Sequence, residues 1–192
     1  MNMEIKKITT PLCSADARKL KCGESVFLSG TIYTARDAAH LRLVELSKKG
    51  EPLPFPIEGA IIYYVGPTPE KPGKIIGSAG PTTSYRMDSM APTLIADGLT
   101  GMIGKGKRSL QVVESIVEHG ALYLGAIGGA GALISGCVMS SEIIAYEDLG
   151  AEAIRKLEVR DMPLIVIIDS YGNNLYEQGR EAYLNRKVGE QT

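Results

Sequence analysis

A chain of 192 residues with 44% hydrophobic content can bury one sizeable core, which argues against disorder and for a single domain over 1–192. Its 21 basic and 22 acidic residues leave a net charge of −1, Trp is absent and aromatics are only 6%, so neither a basic face nor a stacking platform is on offer to nucleic acid. No apolar run approaches the ~20 residues that cross a bilayer, and the start Met1–Lys7 lacks a secretory apolar core, so a cytoplasmic protein without a membrane partner is expected.

In chain order, Glu4–Thr9 alternates weakly and predicts a first strand, ended by Thr9-Thr10-Pro11. Ser14–Leu20 is a short polar segment leading to a turn at Cys22-Gly23-Glu24. Ser25–Tyr33 is rich in β-formers and predicts a strand. Gly30 inside it marks a bulge or a close backbone approach. Thr34 is expected to cap a helix with Asp37 as its capping-box partner, and Leu41, Val44 and Glu45 carry the helical period to Gly50. Lys48 and Lys49 sit favourably at that helix's negative end. Arg36 and His40, four apart, would share its face. His40 is expected as a partly buried histidine with satisfied hydrogen bonds.

Glu51–Pro56 holds three prolines and predicts a loop. Gly59–Val65 reads as a buried strand, Gly66–Gly73 as a turn, and Lys74–Ser78 as a further strand. The stretch from Gly80 to Asp88 then organises the rest of the chain. Pro81 pre-sets a turn, the hydroxyls of Thr82, Thr83 and Ser84 follow, and Arg86 falls in the first turn of a helix running to about Ala96. Pro92 should kink or restart that helix, because it lacks a donor. The hydroxyls can cap free N–H groups. Alternatively, the positive helix end and the guanidinium fork can seat a carboxylate or phosphate. On these residues alone both readings stay open.

Gly101–Gly104 is a short strand, and Gly104-Lys105-Gly106-Lys107-Arg108-Ser109 opens a helix over Leu110–Glu118. Cations at a positive helix end call for an anionic neighbour, or else form a solvated cluster. A nucleotide P-loop is excluded, because Lys107 is followed by Arg108 and not by Ser or Thr. His119-Gly120 ends the helix and Leu122–Leu124 is another strand. The small residues Gly125–Ala132 permit close backbone packing without the register of a dinucleotide fingerprint. Val138–Tyr146 and Ile154–Val159 predict strands around a loop at Asp148–Gly150, and Leu164–Ile168 is an apolar run after Pro163. Asp169–Asn173 is a turn, Asn174–Tyr176 a return strand and Glu177–Lys187 a terminal helix.

Strands and helices alternate loosely, which favours a mixed α/β domain. Three strand-to-helix turns carry Arg36, Thr82 with Arg86, and Lys105, at the kind of strand end where ligands gather in open α/β sheets. Three cations in one pocket would hold a dianion or dicarboxylate. The set lacks a strong base, since there is no Cys–His pair or acidic dyad, and a Thr hydroxyl is a poor base unless its pKa is lowered. Cys13, Cys22 and Cys137 form no C-x-x-C pair and no zinc spacing, and their odd number argues against a disulfide framework. The residues describe half of an active site, to be completed by a metal or another chain.

Several long motifs, in order, carry a resemblance: Gly30-Thr31-Ile32 with Arg36-Asp37-Ala38-Ala39-His40, Gly80 to Asp88, Gly104-Lys105-Gly106, and Leu122 to Gly129. They lie within a span from Ile8-Thr9-Thr10-Pro11 to Asp169-Ser170-Tyr171-Gly172-Asn173. In these the chain resembles the β-subunit, equivalent to the C-terminal domain, of the class I fumarate hydratase and L-tartrate dehydratase family of iron–sulfur hydro-lyases. The resemblance implies an α/β fold of the swivelling β/β/α type, with a mixed sheet and flanking helices. It implies reversible addition of water across a dicarboxylate double bond. It also implies a [4Fe–4S] cluster ligated by an α-subunit and not by this chain, in an α2β2 assembly. Residue by residue, it implies Arg36, Arg86 and Lys105 as grips for substrate carboxylates and Thr82 as the catalytic residue at the reacting carbon. His40, Thr83 and Ser84 take supporting places. Lys107-Arg108-Ser109 and Leu122–Gly129 look more like the fumarate branch than the tartrate branch, and methylfumarate hydratases share much of the pattern. A non-catalytic dicarboxylate-binding subunit is the rival expectation.

Overall fold

A computed structural model of the chain describes residues 5–126 and 131–179. The strands are β1 (Lys6–Thr9), β2 (Ser25–Thr34), β3 (Ile61–Tyr63), β4 (Gly101–Gly104), β5 (Leu122–Gly125), β6 (Val138–Ala145) and β7 (Ile154–Ile168). The helices are α1 (Ser14–Ala17), α2 (Asp37–Lys49), α3 (Ala91–Ala96), α4 (Leu110–His119) and α5 (Gly131–Ser135). The sheet order is β1-β2-β3-β4-β5-β7-β6, with β2 also paired to β7. That extra pairing closes β2, β3, β4, β5 and β7 into a five-stranded barrel, with β1 and β6 attached outside the ring. The strands from β1 to β5 run parallel, while β7 runs antiparallel to all its partners. The mixed α/β expectation holds, and closure is the feature that alternation of elements does not reveal.

Side-chain alternation explains why the central strands are apolar throughout. Ile61 and Tyr63 point into the barrel with Leu28, Ile103 and Leu124. Ile62 and Tyr64 point outward against Leu43 of α2, Leu94 of α3 and Ile116 of α4. Each of α1 to α4 follows a strand and returns to the next parallel strand, and the barrel interior fills the other face of β3, β4 and β5. None of the helices among the described residues is long and apolar enough to cross a membrane.

The long strand β7 joins what the sequence divides at Pro163. Its first half pairs with β6 up to Val159, its second with β5 from Ile165, and β2 flanks it nearly throughout. Pro163 falls in the gap between the β6 and β5 pairings, where one edge has no ladder to interrupt. Gly30 marks the bulge in β2 with φ 109°, and the Thr10 side chain occupies the space a Cβ would need.

Other expectations need correction. Lys74–Ser78 is irregular with bends at Ile75 and Gly77, not a strand. Ser14–Leu20 contains a one-turn helix, α1. Thr34 does not cap α2. It ends β2, fully buried, with its hydroxyl donating to Ala153 O (3.2 Å) and accepting from Arg155 N–H (2.9 Å). Asn174 makes only an isolated bridge to Ile168, and helix begins at Leu175. The expected terminal helix beyond residue 179, and residues 127–130 of the small-residue stretch, lie outside the described residues. Pro92 does restart the helix, standing in the first turn of α3 after a 3-10 turn over Ser84–Met87.

Candidate active site

The parallel strands β2, β3 and β4 end side by side, and the chain leaving each end supplies a site residue. Arg36 follows β2, Lys105 follows β4, and residues 81–83 fold back between them, held by isolated bridges from Pro81 to Val65 and from Thr83 to Lys105. Thr82 N–H donates to Tyr64 O (2.7 Å), Lys105 N–H to Thr82 O (3.3 Å) and Ser84 N–H to Lys105 O (2.9 Å). These backbone bonds fix the Pro81 turn without any side-chain cap, since Thr83 makes none at the 3-10 turn. The capping reading of the hydroxyls is thereby corrected. Arg36, Thr82, Thr83, Tyr85, Arg86 and Lys105 surround an open recess of about 360 Å³.

Within the recess Arg36 is held on three sides. Its Nε donates to Asp37 Oδ2 (2.9 Å), Nη2 pairs with Glu152 Oε1 (3.1 Å) and Nη1 reaches Thr82 Oγ1 (3.4 Å). Gly66 leaves room for it, because a Cβ there would lie 2.9 Å from Arg36 Nη1 and 3.2 Å from Ala151 O. Arg86 Nη2 pairs with the same Asp37 oxygen at 3.0 Å. Lys105 is exposed and has no ion pair among the described residues.

His40 and Ser84 lie beneath the recess, not in it. Arg36 is the extended residue before α2 and turns outward, so the shared helical face with His40 is not formed. His40 is fully buried against Tyr64, ring centroids 5.6 Å apart, and neither ring nitrogen has a hydrogen-bond partner among the described residues. The satisfied, partly buried histidine is therefore corrected. Ser84 Oγ meets Tyr123 OH at 2.9 Å, and that hydroxyl also donates to Gly106 O at 3.0 Å. Tyr123 thus ties the Thr82 turn to the Lys105 loop.

Arg108 is buried, not part of a solvated cluster. Its Nε donates to Asp88 Oδ1 at 2.6 Å, and its guanidinium lies 5.4 Å and 5.0 Å from the ring centroids of Tyr64 and Tyr123. The other Asp88 oxygen accepts Ser109 N–H at the start of α4. Asp88 is the anion that the cationic helix start called for. Glu152 plays the same part at α2, accepting Ala38 N–H at 3.0 Å. The sequence holds a signal for Asp88, which stands inside the organising motif, but none for Glu152 or Tyr123.

Burial and the Arg108 charge lower the His40 pKa from 6.5 to about 3. Between these values the unfolded chain binds a proton that the folded chain does not, so stability rises with pH and is lost as the pH drops through this window. The loss amounts to about 1.4 kcal/mol per pH unit. His40→Leu should therefore flatten the acid side of the stability curve. Urea midpoints from pH 7 to pH 4 that run parallel for both proteins would contradict it.

Among the described residues no three His, Cys, Asp or Glu side chains converge as a metal site, and Cys13, Cys22 and Cys137 are free thiols. The residues present do not make up a ligand set for an iron–sulfur cluster.

The structure is thus an α/β barrel whose parallel strand ends bring three cations and a threonine to one recess. A family model described as the fumarase C-terminus matches residues 2–179, and the chain belongs to that family. It is 39% identical over 185 residues to the "Putative L(+)-tartrate dehydratase subunit beta" of Methanocaldococcus jannaschii, covering 93% of this chain and 92% of that one. It is 44% identical over 153 residues to the aerobic class I fumarate hydratase of Escherichia coli, covering 79% of this chain but 28% of the enzyme. Fumarate hydratase 2 of Leishmania major is 39% identical over 158 residues, with 81% and 28% covered. The chain thus spans about a quarter to a third of the fumarate hydratases it matches, and nearly all of the relative described as a subunit beta.

Proposed function

We propose that this chain, acting as one domain over 1–192, is the β-subunit of an iron–sulfur-dependent hydro-lyase that interconverts fumarate and malate in the cytoplasm. It is a swivelling domain, and its α-subunit partner, in an α2β2 assembly, carries the [4Fe–4S] cluster. The observation that supports this is the meeting of Arg36, Thr82, Arg86 and Lys105 in one recess open on one side. Arg36, Arg86 and Lys105 receive the two carboxylates, Arg86 by its planar fork and Arg36 through Nη1, the nitrogen that its two acid partners leave without a carboxylate. They also stabilise the negative charge that builds on the carboxylate next to the carbon losing its proton. Thr82 Oγ1 takes part in moving that proton.

L-tartrate is the second reading, favoured by the end-to-end match to a chain of the same extent. The deciding experiment co-expresses the cluster-bearing partner anaerobically and follows fumarate, L-tartrate and methylfumarate. Fumarate turnover above the others supports the proposal. Tartrate turnover alone moves it to the second reading. An assembled, cluster-loaded complex inactive on all of them leaves a non-catalytic dicarboxylate-binding subunit.

In that complex, Arg86→Ala should cost about 2–4 kcal/mol in kcat/KM, the worth of a charged hydrogen bond together with charge stabilisation. The thermal midpoint should barely move, because the Arg86 side chain is 38% exposed and has a single ion-pair partner among the described residues. Catalytic efficiency kept within about threefold would make Arg86 a structural arginine.

A further inference from the structure

We propose that Asp37 and Glu152 form a carboxylate clamp that aims the two arginines of the recess, and that neither acid touches substrate. The proposal rests on the hydro-lyase reading for its kinetics, but not for its geometry. Asp37 Oδ2 accepts from Arg36 Nε at 2.9 Å and pairs with Arg86 Nη2 at 3.0 Å, so one oxygen sets the spacing of both guanidinium groups. Glu152 holds the far edge of Arg36 at 3.1 Å while its other oxygen accepts Ala38 N–H at 3.0 Å, which anchors the acid to the start of α2. With two edges of its fork occupied, Arg36 directs Nη1 at Thr82 Oγ1. Gly66 and the backbone of Ala151 close the space around it.

The backbone supports the same reading. Asp37 has φ 31°, an uncommon value for a non-glycine residue. It opens a helix that has no side-chain cap of its own. Conformations of this kind persist where the surroundings over-determine them, and they gather at functional sites. The two acids divide the work. Asp37 couples the carboxylate grips to each other, and Glu152 couples Arg36 to the reacting hydroxyl. Loss of Asp37 charge should therefore act mainly on KM, and loss of Glu152 charge mainly on kcat.

The test uses Asp37→Asn and Glu152→Gln. Asn tolerates positive φ, so the first variant keeps the backbone. On the full chain, solvent exchange of the Arg36 Nε–H is followed by NMR, and it should be about tenfold faster in Asp37→Asn, as expected for losing a charged hydrogen bond. In the assembled complex, Asp37→Asn should raise KM for fumarate about tenfold with kcat nearly kept, and Glu152→Gln should lower kcat about tenfold with KM nearly kept. Unchanged Nε–H exchange overturns the clamp. Changed exchange with both kinetic constants within about twofold of wild type also overturns it, because the acids would then only support the fold. Should the wild-type complex turn over neither fumarate nor tartrate, the hydro-lyase reading fails by itself. The clamp is then decided by the exchange rate and by fumarate titration onto the full chain, where Asp37→Asn must weaken binding.

Discussion

Thr82→Val in the assembled complex should slow exchange of the substrate's C3 hydrogen with solvent by about 10²–10⁴-fold, the range for removing a positioned proton-transfer group. The change keeps the shape of the side chain and removes only the hydroxyl. That hydroxyl has a single partner, Arg36 Nη1 at 3.4 Å, so folding should suffer little. The backbone bonds that hold the turn, Thr82 N–H to Tyr64 O and Lys105 N–H to Thr82 O, are untouched. Thr83 is the matched control. It lines the same recess but makes no side-chain cap, so Thr83→Val should leave stability within about 0.5 kcal/mol and exchange near wild type. The measurement is deuterium incorporation at C3 together with the thermal midpoint of each mutant. If Thr83→Val abolishes exchange and Thr82→Val does not, the roles are reversed. If neither does, the base belongs to the partner chain and Thr82 only positions substrate.

Asp88→Ala should unfold the protein far more readily, by about 3–5 kcal/mol, because it strands a buried guanidinium. The Arg108 side chain is fully buried and Asp88 is its ion-pair partner, at 2.6 Å. Its Nη2 already lacks a hydrogen-bond partner among the described residues, so the buried guanidinium would lose its charged acceptor with a second nitrogen unpaired. Ser109 N–H at the start of α4 loses its acceptor as well. For a chain of this size the thermal midpoint should drop by about 2–4 °C per kcal/mol. A urea titration would show it directly, and a loss below about 1 kcal/mol would mean that the pair is solvated.

How much of this was open to the sequence follows from the range of each interaction. Arg36, Thr82, Arg86 and Lys105 were legible because each sits beside local punctuation: a strand end, a proline turn, or paired glycines. Local chemistry placed the bulge at Gly30, the end of α4 at His119-Gly120 and the restart at Pro92. Where a local rule had a tertiary competitor, the competitor prevailed. Thr34 is a good helix cap by type, yet β7 takes its hydroxyl, and Glu152, remote in sequence, takes an N–H at the start of α2. Pro163 breaks a strand by type, yet it stands where β7 changes partners and has no ladder on one edge. Arg108 gave no sign of its burial, and for His40 only partial burial with satisfied hydrogen bonds was expected, because polar residues are placed inside by what surrounds them. Composition and spacing alone determined a mixed α/β domain with three cationic strand ends. Only the tertiary structure decided that the sheet closes, that Asp37 and Glu152 hold the arginines and that Asp88 answers Arg108. Those are pairings between distant segments, and their free energy exists only once the chain is packed.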